Sequence, residues 1–188
     1  MMVAVWMALG AALVLALLWA RRRWLGFAAQ RPADYAGVEG PALDLRQHLD
    51  GPILCDGAIF GPTGRISTRF TGTFHATWDG NRGRMTEHFQ YDSGTTQDRE
   101  WTLLLEDDGS VRALAPDVIG TGRGQLAGPT LQLCYRLKLP EGGGGHVINV
   151  TDWMYLAPNG HLVNRSQFFM FGLKVGELVA TLRPAPAA

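Results

Sequence analysis

Two hydrophobic patterns of different period divide the chain. From Val3 to Ala20 no residue is charged and, apart from Gly10, every one is apolar. At about 1.5 Å per residue this run nearly spans a hydrocarbon core of roughly 30 Å. It predicts a transmembrane helix within residues 1–24, with Trp6, Trp19 and Trp24 suited to interfacial positions. Arg21, Arg22 and Arg23 follow the run and no charged side chain precedes it, the reverse of a cleaved signal peptide. The helix therefore reads as an uncleaved anchor, and the membrane as a partner. Positive charge is retained on the cytoplasmic side, which places the rest of the chain there. Residues 25–42 hold Arg31, Pro32, Pro41 and several Gly and Ala without apolar periodicity, and read as a tether.

From residue 43 to 184 the period changes to two, leaving 185–188 as a tail. Along Arg65 to Trp78, Ile66, Phe70, Phe74, Ala76 and Trp78 share one face, while Ser67, Arg69, Thr71 and His75 share the other. Met85 to Tyr91 and Arg99 to Leu105 continue the alternation. Further strands are expected at Val118–Gln125, Thr130–Leu139, Val147–Leu156, Leu162–Phe171 and Val175–Leu182. Asp92-Ser93-Gly94 suits a three-residue hairpin loop with Gly in the left-handed position, and Asn159-Gly160 a type I′ turn. Residues 141–145 read as a glycine-rich hairpin tip. Roughly eight or more antiparallel strands must hide their edges. The fold class is therefore all-β: an up-and-down β-barrel preceded by one N-terminal transmembrane helix, with a two-sheet sandwich as the alternative.

Charges break the apolar alternation in two places. With Asp92 to Gly94 as the loop, Glu87 falls opposite Arg99 on the face of Met85, Phe89, Trp101 and Leu103, which predicts an inward ion pair. In the later hairpin, Asp152 shares a face with Ile148, Val150 and Met154, and Arg165 with Val163, Phe169 and Phe171, so a matching register brings these two together as well. Desolvating two ions costs several kcal/mol each and attraction only breaks even. Three uses follow: paired structural charges at a barrel end, groups that orient the polar head of a ligand, or acid–base catalysis. The candidate ligand-binding residues are Glu87, Arg99, Trp101, Asp152 and Arg165; no catalytic residue is assigned.

Composition narrows the partners. Lys plus Arg and Asp plus Glu each number 17, so nothing marks a nucleic-acid binder. Cys55 and Cys134 match neither a redox pair nor a zinc set, and stand either as one disulfide or as two buried thiols. The histidines are scattered; His75 and His88 fall near each other on the outer face without further ligands, and no metal is expected. Gly120, Gly122 and Gly124 lie in a predicted strand rather than before a helix, so they suit barrel curvature and not a dinucleotide. No cofactor is expected.

The stretch Gly57-Ala58-Ile59-Phe60 to Gly64, then Arg69-Phe70, Glu87-His88-Phe89-Gln90-Tyr91-Asp92, Arg99-Glu100-Trp101, Asp152-Trp153-Met154-Tyr155-Leu156, Asn164-Arg165-Ser166 and Phe171-Gly172 resemble the bacterial family known as domain of unknown function 3833. The likeness runs from about Leu43 to Pro184. It implies a lipocalin-like barrel at the bacterial cell envelope, with no established activity. Members of the family look like lipoproteins held outside the inner membrane by a lipidated cysteine, and this chain has a hydrophobic helix in that place. The likeness thus implies a periplasmic barrel, against the cytoplasmic side indicated by the arginines. The leading functional expectation is a binding module for an apolar or amphipathic, lipid-like small molecule. Its alternatives are an envelope structural or assembly factor working through its outer surface, and an enzyme using Glu87 or Asp152 on a lipid-like substrate.

Overall fold

The structure is a computed structural model describing residues 2–141 and 144–186. Residues 142 and 143 of the expected glycine tip, and 187 and 188 of the tail, lie outside the described residues. The N-terminal helix α1, Met2–Trp24, carries no acidic residue in its first turn. Over Met2–Arg21 it is long and apolar enough to cross a membrane, and none of that stretch is buried against the barrel.

Ten strands form a closed antiparallel barrel among the described residues. They are β1 (Gly51–Phe60), β2 (Ile66–Asp79), β3 (Arg82–Tyr91), β4 (Thr96–Leu105), β5 (Ser110–Leu114), β6 (Gly122–Ala127), β7 (Thr130–Lys138), β8 (Val147–Leu156), β9 (Leu162–Met170) and β10 (Leu173–Pro184). Each pairs with the next, and β1 pairs with β10, so no edge is left open. The up-and-down barrel holds and the sandwich alternative does not. Two of the strands, β1 and β5, are additions to those read from the sequence. Gly57 interrupts the apolar pattern of β1 for a steric reason: a Cβ there would lie 2.5 Å from the Phe70 ring and 2.8 Å from the Val179 carbonyl. The expected strand Val118–Gln125 is corrected. Gly120 has φ +76 and breaks it, leaving Val118 in an isolated bridge to Leu137 and starting β6 at Gly122.

The two barrel ends differ. Strand starts of β1, β3, β5, β7 and β9 surround an end that is closed from below by Leu43, Leu45 and Leu49, all buried. The short helix α2, Leu45–His48, begins at Asp44, whose carboxylate accepts from the Arg46 amide at 3.0 Å. Trp78 Nε1 donates to the Leu49 carbonyl at 2.7 Å, tying this floor to β2. The other end, ringed by the turns after β1, β3, β7 and β9 and by residues 115–121, is the mouth.

The segment read as a tether lies along the barrel wall. Phe27 is buried, with the Arg165 guanidinium 5.0 Å from its ring centroid. The Tyr155 hydroxyl donates to Gln30 Oε1 at 2.7 Å, and Tyr35 donates to the same oxygen. The Tyr35 ring packs on Trp153 and Tyr155 at 5.3 and 6.0 Å. Trp153 points outward yet is fully buried beneath this cover. The Leu43 amide then donates to Gly128 at 2.9 Å, and the chain turns in to form the floor.

Candidate functional site

Inward-facing side chains leave a cavity of about 520 Å³ inside the barrel. Its wall is mostly apolar, with Phe70, Phe74, Phe89, Trp101, Leu133 and Leu178 prominent. The polar residues on it include Glu87 and Arg99 from β3 and β4, Asp117 from the segment after β5, Tyr135 from β7, Asp152 from β8, and Asn164 and Ser166 from β9, with Tyr91, Gln97, Ser67 and Lys138 also on the lining.

The predicted Glu87–Arg99 pairing is present. The Tyr91 amide donates to Thr95 at 2.9 Å and Gly94 takes φ +84, which sets Glu87 opposite Arg99. Glu87 is 8% exposed and Arg99 15%. Their nearest atoms, Arg99 Nη1 and Glu87 Oε2, stand 3.6 Å apart, so this is not the main contact of the arginine. Arg99 grips Asp117 with two bonds, Nε to Oδ2 at 2.7 Å and Nη2 to Oδ1 at 3.1 Å, the planar fork that guanidinium and carboxylate make well. The contact spans a gap in the wall, because β4 pairs with β5 only from Thr102 onward. Asp117 closes the gap from the β7 side: the Lys138 backbone amide donates to its carbonyl at 2.8 Å. Trp101 Nε1 donates to Glu87 Oε2 at 3.3 Å, and Arg99 lies 4.8 Å from the Trp101 ring centroid.

Burial pushes the Glu87 carboxyl up to about 7; Arg99 and Trp101 pull it back, while Asp152 and Asp117 push it further. Burial also raises Asp152, against the opposing pull of the Ser166 and Tyr135 hydroxyls and of Arg99. Burial works against the Arg99 charge, but the Asp117 hydrogen bonds and the Glu87 charge outweigh it and its pKa rises. Asp152 Oδ1 is buried with no hydrogen-bond partner among the described residues. An acceptor held in that state is costly unless something donates to it.

The Asp152–Arg165 pairing is corrected. Asp152 lies opposite Ser166 and faces in, while Arg165 lies opposite Trp153 and faces out, where it meets Glu177 at 2.5 Å and Phe27. The cause is the connecting turn. Gly160 donates to Ala157 at 2.9 Å, and Gly160 alone has positive φ in that loop, so it is a three-residue loop and not a type I′ turn. One extra loop residue slips the register by one and inverts the face of β9. Asp117, Tyr135, Asn164 and Ser166 escaped the sequence reading. Asn164 and Ser166 alternate correctly for the inner face, but their polarity hid them; Asp117 sits in irregular chain.

His75 and His88 are on the outer face, where His88 Nδ1 meets Asp98 Oδ1 at 2.6 Å; no group of three metal ligands occurs among the described residues. Cys55 faces inward and is buried, while Cys134 faces outward and is exposed; both are free thiols, so neither a disulfide nor a pair of buried thiols is found.

A closed up-and-down barrel around an internal cavity defines a lipocalin-like protein. The chain belongs to the DUF3833 family, a family of proteins of unknown function, whose profile matches residues 23–184 and so takes in both the barrel and the segment on its wall. Solved structures share the architecture at low identity. The S-type phycobiliprotein lyase CPES of Guillardia theta has a TM-score of 0.58 at 8% identity, covering 85% of this chain and 99% of that one. Rv2717c of M. tuberculosis has 0.55 at 16%, covering 79% and 100%. A protein of unknown function of the DUF3598 family from Nostoc punctiforme has 0.55 at 13%, covering 80% of this chain and 53% of its own. No curated protein matches by sequence.

Proposed function

We propose that this chain is a membrane-anchored binding protein of the bacterial cell envelope, which holds an amphipathic, lipid-like small molecule inside the barrel. The carrying observation is an interior cavity that is apolar over most of its wall and carries a convergent set of polar groups, among them Asp152 Oδ1, a buried acceptor without a hydrogen-bond partner among the described residues. Its volume falls within the roughly 300–1,000 Å³ of small-molecule sites, and such sites pair apolar walls with a few convergent polar groups.

The polar groups also favour one head-group chemistry. Arg99 is already taken by Asp117 and Glu87, so its charge is not free to meet an anionic head. Glu87 and Asp152 instead suit a head that donates, such as a hydroxyl or an amide. Phe70, Phe89 and Leu178 then receive the tail. Helix α1 keeps the barrel beside the bilayer from which such a molecule comes.

A brominated long-chain alcohol, titrated into the full-length chain in lipid nanodiscs, tests this reading by quenching indole fluorescence. The part of the emission lost in Trp101→Phe should be quenched saturably, and much less by the carboxylate of equal length. Filling the cavity with Leu133→Trp should abolish the effect. Absence of saturable Trp101 quenching contradicts the proposal.

A further inference from the structure

The chain's route along the barrel fixes which end lies near the anchor. Helix α1 ends at Trp24, and Phe27 is already packed on the barrel wall. Three residues span at most roughly 10 Å, so the end of the helix stays close to Phe27. Phe27 lines a small outer cleft together with Phe169 and Gly172. Gly172 belongs to the β9–β10 turn at the mouth, whereas Tyr35, further along the same segment, lies by Gly128 at the floor. The anchor therefore leaves the barrel beside its mouth.

The rim of that mouth is apolar where it approaches the anchor. Phe171 is 93% exposed and Leu173 71%, both on the β9–β10 hairpin. Ile66 at the start of β2 and Val147 at the start of β8 are exposed on the neighbouring tips, with Arg65 beside Ile66. Phe171 and Gly172 form a two-residue turn between Met170 and Leu173, with φ of +51 and +79. Such a type I′ turn favours Asn or Gly at its first central position. A bulky aromatic there is strained, and its ring has no packing to offset the strain. A ring held out in this way gains by burial only when another surface meets it, and large exposed apolar patches mark such contacts.

We infer that the barrel stands mouth-down on the bilayer that holds α1, with Phe171 and Leu173 inserted at the lipid interface. The cavity then opens onto the leaflet, and an amphipathic molecule reaches it without crossing water. This rests on the reading of α1 as an anchor and deepens that of the cavity as a lipid-like site.

The test uses the full-length chain in vesicles of phosphatidylcholine and phosphatidylglycerol. An environment-sensitive dye is attached at Phe171→Cys or, for the floor end, at Asn159→Cys, each in a Cys134→Ser background; Cys55 is buried within the barrel. Insertion into the bilayer should blue-shift the dye at 171 and not the dye at 159, and nitroxide-bearing lipid should quench the dye at 171 at least several-fold more. If the chain floats with the vesicles but both dyes stay in water, or both are quenched alike, the mouth-down placement is overturned while the anchor stands. If the chain does not float with the vesicles, the anchor reading falls and the placement with it.

Discussion

Glu87 shows what one buried carboxyl does to the molecule. Unfolded, it titrates near 4.5; folded, burial carries it to about 7. Between those values the folded chain keeps a proton that the unfolded chain gives up. Stability therefore falls as pH rises from about 4.5 to about 7 and levels beyond, and the raised Asp152 acts in the same direction. Glu87→Gln removes its share, so urea midpoints at pH 5 and pH 8 should lie closer together in the variant than in the wild type. An unchanged gap would contradict the assignment. Asp117 carries a second expectation. Asp117→Ala strips Arg99 of its forked partner and should cost about 2–3 kcal/mol, below the roughly 3–5 of a fully buried pair because Asp117 is 28% exposed. A loss under 0.5 kcal/mol in chemical denaturation would mean that the fork does not hold the gap beside β4. Of this cluster, Glu87 opposite Arg99 was legible because the Asp92-Ser93-Gly94 loop fixes its register. Asp117 was not, since no periodicity governs the irregular chain between β5 and β6.

Elements show where pattern reading succeeds and where a turn defeats it. Strands β2 to β4 alternate cleanly, and their faces follow from the sequence. In β9 the inner face is Leu162, Asn164, Ser166 and Phe168, while the outer face is Val163, Arg165, Gln167 and Phe169, two apolar residues on each, so hydrophobicity alone does not choose the face. The cover of residues 27–35 explains why apolar groups are tolerated outside: Phe27 and Tyr35 shield that wall. No local signal in a stretch without periodicity announces such docking. Close strand packing explains the glycines better. A Cβ at Gly124 would sit 2.5 Å from the Gln132 carbonyl, so Gly124→Ala should destabilise the barrel by about 1–3 kcal/mol through forced separation of β6 from β7. Thermal unfolding checks this, and a neutral outcome would deny the tight contact. At the β9–β10 turn the sign reverses. Phe171→Asn should raise the melting temperature by relieving roughly 1 kcal/mol of left-handed strain, and a fall would mean that the ring supports the fold.

At the scale of the whole molecule, closure of β1 onto β10 makes an interior, and residues 43–49 form a floor at the end opposite the mouth. The alternation of the strands announced the barrel and its approximate strand number. Whether side chains fill it depends on the sum of many inward volumes, which no motif encodes; here they leave about 520 Å³. The arrangement gains meaning only if that space is occupied. Native mass spectrometry of the full-length chain, released from detergent micelles after purification from a bacterial host, addresses this directly when compared with Leu133→Trp, provided circular dichroism shows both barrels folded. A lipid-like mass bound one-to-one on the wild type and lost from the cavity-filling variant is the expected result. A wild-type chain that flies empty, or a mass retained equally by both, would contradict a binding function for the barrel.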